Sequence, residues 1–214
     1  MNDVQIRPLR FTADVEAMRG VLETLGLRSR IESERGGWVD MLTGRGMVAL
    51  HDAASSSTGG QPGQTNLSFE ADKIDDLKDR LEQAGFSDAT VFDEAYGRVL
   101  SVTAPGEVVI WVDERSEDLY GYKLHDASPD DRWSVTPYLT GADEAAWLGF
   151  LEAIGSGPSV RFGPADAEFA VRLELTTTED LDDVRGRLGG LQVTRTDAGL
   201  EIVDPDGQLV VVRG

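Results

Sequence analysis

The sequence predicts an α+β fold built from repeated units, each with one strand, one helix and three further strands. In each unit, apolar residues recur at helical spacing in one segment, and glycines separate the strand-like segments around it. The pattern returns with a period of about 50–65 residues, which indicates internal duplication. The clearest copy covers residues 65–114, and similar copies precede and follow it.

The first unit, residues 1–53, begins with a predicted strand over residues 4–12. A helix is expected from Asp14 to Leu25, because its apolar residues fall on one helical face. Asp14 suits the N-cap, and Gly26 suits the left-handed residue that ends many helices. Three strands are then predicted at Arg28–Ser33, Trp38–Thr43 and Met47–Asp52.

The central unit repeats this order after a small, polar linker at residues 54–64. A predicted strand at Asn66–Ala71 leads into a helix at Ile74–Ala84, which Gly85 ends. Three further strands are expected around Thr90–Asp93, Arg98–Thr103 and Val108–Val112.

The C-terminal part departs from the pattern after a polar connector at residues 115–132. In the third unit, residues 133–163, a strand (Ser134–Leu139) and a helix (Asp143–Ile154) precede only one short strand, Ser159–Phe162, so this unit looks truncated. The fourth unit, residues 167–214, is complete, and its predicted elements are Phe169–Leu175, a helix at Glu179–Leu188, Gln192–Arg195, Gly199–Val203 and Leu209–Val212. The sequence from Asp204 to Gly207 predicts a hairpin turn without chemical function.

Composition excludes several classes of function. The formal net charge of −19 argues against binding to nucleic acid or anionic membranes, because both require clustered Lys and Arg. The absence of cysteine rules out disulfides, thiolate nucleophiles and Cys-ligated metals. Neither a signal-peptide pattern nor a run of 18 apolar residues is present, so we expect no membrane span and a cytoplasmic location.

Three stretches carry a resemblance to a known family: NLSFEADKIDDL from Asn66, the turn Tyr96-Gly97-Arg98, and DPDGQLVVV from Asp204. With the repeated units, they resemble the vicinal oxygen chelate superfamily, which includes glyoxalase I, the extradiol dioxygenases and the bleomycin-resistance proteins. The resemblance implies that curled mixed sheets form a cup with helices packed outside. It implies one full domain at residues 1–114 and a partly truncated second domain at residues 133–214.

In members of this superfamily that bind metal, the resemblance implies ligands from the first and last strands of each unit, at the base of the cup. The first-strand positions hold Asn66 in the central unit and Ile6 or Arg7 in the first unit. The last-strand positions hold Trp111 in the central unit, Ala49 in the first unit, with His51 two residues on, and Val211 in the fourth unit. Asparagine is a poor ligand for transition metals, and the side chains of Trp and Ile do not coordinate metals. We therefore predict that the metal site is lost and that neither metal nor cofactor is bound.

The N-terminal cup is the predicted ligand site. Strand alternation places Ser68 and Glu70 on the face of Asn66. The candidate ligand-binding residues are Trp38, His51, Asn66, Ser68, Glu70, Tyr96, Arg98 and Trp111. No catalytic residue can be assigned.

Each candidate has a structural alternative. Trp38 and Trp111 either stack on a planar ligand or fill the core, and His51 either contacts a ligand or lies at the rim. Glu70 is either a cavity carboxylate, which has a raised pKa or binds a cation, or an exposed charge at a strand end. Arg98 either clamps an anion or pairs with neighbouring acids such as Asp93 and Glu94.

Three functions are compatible with these features. The leading interpretation is a metal-free protein similar to the bleomycin-resistance branch, which holds an aromatic or cationic small molecule. The second is a glyoxalase-like lyase or isomerase, or a dioxygenase-type enzyme, with an atypical metal site at His51, Gln5 or Glu70. The third is a structural or dimerisation module without a ligand. We expect a monomer or a homodimer.

Overall fold

The computed structural model describes residues 4–115 and 120–214 and shows an α+β protein with a two-domain layout. The predicted fold class is confirmed, and the domain boundaries stay predictions. Residues 1–3 of the first predicted unit and residues 116–119 of the predicted connector lie outside the described residues. In the described parts of the chain, no helix is long and apolar enough to span a membrane.

The N-terminal domain contains two units and one additional strand. The first unit consists of β1 (Val4–Ile6), β2 (Leu9–Thr12), α1 (Val15–Thr24), β3 (Arg28–Ser33), β4 (Trp38–Leu42) and β5 (Met47–Asp52). The second unit consists of β6 (Thr65–Asn66), β7 (Ser68–Ala71), α2 (Ile74–Gln83), β8 (Thr90–Glu94), β9 (Gly97–Ala104) and β10 (Val108–Glu114). The additional strand, β11 (Tyr122–Leu124), lies in the predicted connector and pairs with β3.

Each predicted first strand is in fact two short strands that belong to different sheets. One sheet has the order β1-β7-β10-β9-β8, and the other has the order β11-β3-β4-β5-β2-β6. The first break is at Arg7-Pro8, where proline supplies no N–H group and favours an extended residue before it. The second break is at Leu67. As a result, β1 completes the sheet of the second unit, and β6 completes the sheet of the first.

The helix boundaries follow the predicted capping chemistry. The Asp14 carboxylate accepts a hydrogen bond from the Ala17 amide at 2.9 Å, which satisfies a free donor at the start of α1. Gly26 ends this helix with φ at +98°, a conformation that favours glycine. A side chain at this position would also meet the Trp133 ring at 2.8 Å.

The C-terminal domain repeats the design with fewer strands. The third unit consists of β12 (Trp133–Val135), β13 (Tyr138–Thr140), α3 (Glu144–Ile154) and β14 (Arg161–Phe162). The fourth consists of β15 (Ala170–Arg172), β16 (Glu174–Thr177), α4 (Leu181–Arg187), β17 (Val193–Thr196), β18 (Gly199–Val203) and β19 (Leu209–Arg213). Their sheets have the orders β12-β16-β19-β18-β17 and β14-β13-β15. After α3, the third unit therefore has one strand where the first unit has three after its helix.

Core packing and a buried ion pair join the two domains. One continuous cluster of buried apolar residues includes side chains from both. The Arg10 guanidinium pairs with the Asp204 carboxylate of the predicted hairpin; the two side chains are only 2% and 0% exposed. The Arg80 Nε–H group also donates to the Ala153 carbonyl at the end of α3 at 2.8 Å. The hairpin that was expected to have only a local role thus connects the two domains.

Candidate functional site

The two sheets of the N-terminal domain enclose a cavity of about 730 Å³. Alternation along β4 shows how the strands divide their side chains: Val39 and Met41 join the hydrophobic core, whereas Trp38 and Asp40 line the cavity. A loop formed by residues 55–58 of the predicted linker lines the cavity as well.

All eight predicted site residues lie on the wall of this single cavity. They come from both units and from five different segments of the chain: Trp38, His51, Asn66, Ser68, Glu70, Tyr96, Arg98 and Trp111. Their role in ligand binding remains a prediction.

The aromatic side chains form one part of the wall. Trp38 meets the Tyr122 ring edge-on at 5.6 Å, and Trp111 meets Phe92 in the same way at 5.8 Å. Both indoles are half-buried at the cavity and lie outside the hydrophobic core cluster. The Arg7 guanidinium lies over the Trp38 ring, 5.4 Å from its centre. The His51 ring lies 5.7 Å from that of Phe11.

A network of three guanidinium and three carboxylate groups forms another part. The Arg7 Nε–H group donates to Asp40 at 2.9 Å, and the Arg7 guanidinium also pairs with Asp113. Arg30 donates to Asp40 at 2.9 Å and to Glu70 at 3.0 Å. Arg115 donates to Glu70 at 2.9 Å. Outside the cavity wall, Arg115 also pairs with Asp72 at 2.6 Å, so the three guanidinium groups face four carboxylates in total.

Glu70 differs from both sequence-based expectations. It is buried, not exposed at a strand end. Burial alone would raise the pKa of its carboxyl group, but the hydrogen bonds and charge of Arg30 outweigh burial and hold that pKa below its usual value. The expectation of a raised pKa was wrong because it omitted Arg30, which β3 brings from a distant part of the chain.

Asp113 behaves in the opposite way. Burial raises the pKa of its carboxyl group, and the attraction of Arg7 does not compensate for this effect. Among the described contacts, the Asp113 side chain accepts one hydrogen bond, which comes from Arg7. It is therefore the carboxylate of the network that is least satisfied by the protein.

Three of the predicted residues make polar contacts outside the charged network. Asn66 accepts a hydrogen bond from the Gln64 side chain at 2.9 Å, and Ser68 donates to the Arg7 carbonyl. The His51 Nδ1 atom lies 2.8 Å from the Asp52 carbonyl, so Nδ1 carries a proton and donates it to that oxygen.

Arg98 forms ion pairs, as one of its two interpretations expects, but with different partners. Its guanidinium contacts Asp75 at 2.8 Å and Glu114 at 3.2 Å. Asp93, the expected partner, lies directly opposite Arg98 in the backbone pairing of β8 and β9.

Sequence reasoning did not predict that these charged residues pair with one another in a network. Asp113 follows Trp111 by two residues and shares its strand face, so alternation was sufficient to find it. Arg7 was one of two candidates at the first-strand position, and the structure decides between them: Arg7 lines the cavity, whereas Ile6 is buried in the core. No local signal indicated Tyr122, because β11 lies in a segment that was interpreted as a connector.

Several solved structures share the fold of this chain despite low sequence identity. No family model and no curated protein matches the sequence. The structure, however, matches a catechol 2,3-dioxygenase with a TM-score of 0.63 and 12% identity, over 98% of this chain and 86% of the other. It matches the homoprotocatechuate 2,3-dioxygenase from Arthrobacter globiformis with a TM-score of 0.61 and 12% identity, over 98% of this chain and 78% of the other. It also matches the Mn(II)-bound glyoxalase from Novosphingobium aromaticivorans with a TM-score of 0.58 and 13% identity, over 97% of this chain and 80% of the other.

These proteins belong to the vicinal oxygen chelate superfamily. The chain has the vicinal oxygen chelate fold. The resemblance found in the sequence is thereby confirmed at the level of fold, and the N-terminal cavity is the cup that this fold encloses.

The residues in the vicinal oxygen chelate cup do not fit a divalent metal ion. In the described part of the chain, no group of three or more His, Asp or Glu side chains is placed to hold one. Arg7, Asn66 and Trp111 occupy the expected ligand positions, and a guanidinium repels a metal cation. Glu70, the carboxylate of the proposed atypical site, already accepts hydrogen bonds from Arg30 and Arg115. The prediction that no metal is bound stays a prediction.

Proposed function

We propose that the protein binds a small organic molecule in the N-terminal cup without a metal ion. The observation that carries this proposal is the open cavity of about 730 Å³, bordered by half-buried aromatic side chains. Pockets of roughly 300–1,000 Å³ with apolar walls and a few polar groups are typical of ligand sites. A structural module without a ligand has no need of an open cavity, so the cavity argues against that alternative.

The wall chemistry favours a flat ligand that carries a positive charge. Trp38 and Trp111 offer indole surfaces for stacking or for a cation–π contact. Asp113 offers a carboxylate that, among the described contacts, accepts one hydrogen bond, from Arg7, and so can accept further ones. A cationic donor group of the ligand beside Asp113 would use this capacity.

Several features support binding over an enzymatic reaction. A guanidinium and an indole stand where the superfamily resemblance implies metal ligands, and the carboxylates nearby are held by arginines. The resemblance to the bleomycin-resistance branch, in which binding is sufficient for function, supports the same conclusion. We also propose a cytoplasmic location, in line with the absence of cysteine.

Fluorescence titration with thioflavin T, a flat cationic dye, tests the proposal. We expect saturable binding with one dye per chain. Trp111→Ala is expected to weaken binding by about tenfold, which corresponds to about 1.4 kcal/mol. Tyr120→Ala is the matched control, because its ring is 94% exposed and lies outside the cavity.

Two results would contradict the proposal. One is equal dye affinity of the wild type and Trp111→Ala, provided that both proteins have the same unfolding midpoint. The other is a stoichiometric divalent ion in the purified protein, measured by elemental analysis, since this would restore the metal-dependent alternative.

A further inference from the structure

The C-terminal domain contains a counterpart of the cup, which the strand registers identify. In the N-terminal domain, Leu9 lies between Ala49 on one neighbouring strand and Asn66 on the other. In the C-terminal domain, Tyr138 lies in the same way between Arg161 and Arg172. Two arginines thus take the places of an alanine and an asparagine.

A second register supports this correspondence. Ser68 of β7 pairs with Trp111 of β10, and Glu174 of β16 pairs with Val211 of β19. Both pairs join the first and last strands of a unit and run parallel. Glu174 therefore takes the place of Ser68, next to the two arginines.

Three arginines converge on this glutamate. Glu174 is fully buried, at 0% exposed, and its carboxylate accepts hydrogen bonds from Arg172 at 3.1 Å and from Arg213 at 2.7 Å. The Arg161 Nε atom lies 3.7 Å from it. Among these four groups, three guanidinium groups around one carboxylate leave an excess of two positive charges, whereas the network in the N-terminal cup has no positive excess.

The truncation of the third unit explains why this charge is uncompensated. In the N-terminal domain, Asp40 of β4 lies directly beside Ala49, the counterpart of Arg161. The three-stranded sheet has β14 at its edge and has no strand in the place of β4. Among the described ion pairs, Arg161 therefore has no carboxylate partner from that side, and its side chain is 49% exposed.

The arginines also have hydrogen-bond donors to spare. Arg213 uses two nitrogens on Glu174 and the third on the Ala198 carbonyl, at 3.1 Å. Among the described contacts, Arg172 bonds Glu174 through Nε and Nη2 but makes no hydrogen bond through Nη1, and Arg161 makes none. Glu201 of β18 acts on Arg213 and reduces the positive excess near that residue, not beside Arg161.

We propose that this half-open cup of the C-terminal domain is a second binding site, which takes a phosphate-type oxyanion. Guanidinium groups match the oxygens of such anions in geometry and charge. Because one planar carboxylate already occupies the inner N–H groups, the outer N–H groups of Arg161 and Arg172 suit a tetrahedral anion. The charge of a phosphate group, about −1.5 to −2 at neutral pH, matches the local excess. This site does not depend on the function proposed for the N-terminal cup.

Calorimetric titration of the full-length protein with inorganic phosphate and with glycerol 3-phosphate, at low ionic strength, tests the site. We expect saturable binding at one site per chain and at least a fivefold loss of affinity in Arg161→Gln. This variant should fold normally, because Arg161 is half-exposed and does not hydrogen-bond Glu174. Arg195→Gln, which alters an exposed arginine of the same domain, should bind as the wild type does.

The two anions distinguish the source of the phosphate group. Tighter binding of glycerol 3-phosphate would identify a phosphorylated small molecule as the ligand, and tighter binding of inorganic phosphate would identify the free anion. The proposal is overturned if neither anion binds saturably to the wild type, or if Arg161→Gln binds both as tightly as Arg195→Gln does. Thioflavin T titration of Arg161→Gln should match the wild type, because that probe reports the other cup.

Discussion

Replacing Asp204 by asparagine removes the charge that faces Arg10 across the domain boundary but preserves the shape of the side chain. Asp204 Oδ1 accepts hydrogen bonds from the amides of Asp206 and Gln208, at 3.0 and 2.8 Å. An asparagine oxygen can accept the same bonds, so the hairpin turn should persist. The amide nitrogen then takes the place of Oδ2 and cannot accept from Arg10, so the variant removes both the buried carboxylate charge and its hydrogen bond to Arg10.

The magnitude follows from the burial of the partner that remains. Arg10 is 2% exposed, and its Nε atom has no hydrogen-bond partner within the described structure. Breaking a buried ion pair by removing one partner destabilises a protein by about 3–5 kcal/mol. Burial lowers the pKa of Arg10 and raises that of Asp204, so desolvation outweighs attraction for both groups. The double variant Arg10→Met with Asp204→Asn removes both charges and should therefore recover much of the free energy of unfolding that Asp204→Asn loses.

Urea unfolding followed by circular dichroism measures these effects. With a denaturant slope of about 3 kcal/mol/M, Asp204→Asn should lower the unfolding midpoint by roughly 1–1.7 M. Asp166→Asn makes the same chemical change at an exposed position and should alter the free energy of unfolding by less than about 0.5 kcal/mol. The reasoning is refuted if both variants unfold at the same midpoint.

Two further predictions concern charge and pH. Arg7→Met leaves Asp113 without its counter-ion and leaves Asp40 paired with Arg30 alone, so the free energy of unfolding at pH 7 should fall by about 3–5 kcal/mol. The pKa of Asp113 then rises further in the folded state, so the folded variant binds a proton more readily than the unfolded one. The variant should therefore be more stable at pH 5 than at pH 7, and equal urea midpoints at the two pH values would contradict this. A hydrogen bond from Lys123 is the main cause that lowers the pKa of Glu32 from 4.5 to about 2. The resulting stability is present above pH 4.5 and is lost as the pH falls towards 2, so Glu32→Gln should reduce the difference between midpoints at pH 6 and pH 3.

Local chemistry was sufficient to predict most elements of the fold. The strand Gly199–Val203 and the helix start after Asp14 have the predicted positions, because alternation and capping depend on neighbouring residues. The breaks in the first strands depend on pairing between units. Pro8 gives a local hint of the first break, but Leu67 gives none.

The candidate site shows the same division. Alternation identified which side chains face the cavity, including Ser68 and Trp111. It could not identify the electrostatic partner of each group, since Arg30 reaches Glu70 over 40 positions of sequence. The direction of the Glu70 pKa shift was therefore beyond the reach of sequence reasoning.

The exchange of strand halves between units has a consequence for the order of folding. Arg7 and Ser68, which meet where the exchanged strands cross, lie 61 positions apart, so neither unit can complete its sheet before the other is present. Contacts between distant positions slow folding, because a long chain segment must close before they form. The ion pair of Arg10 forms even later, since its partner Asp204 lies 194 positions away in the sequence. During synthesis, this guanidinium can meet Gly63 and Thr65 early, but it lacks its carboxylate partner until Asp204 has emerged from the ribosome. The N-terminal domain therefore reaches its final form only after the C-terminal hairpin has been made.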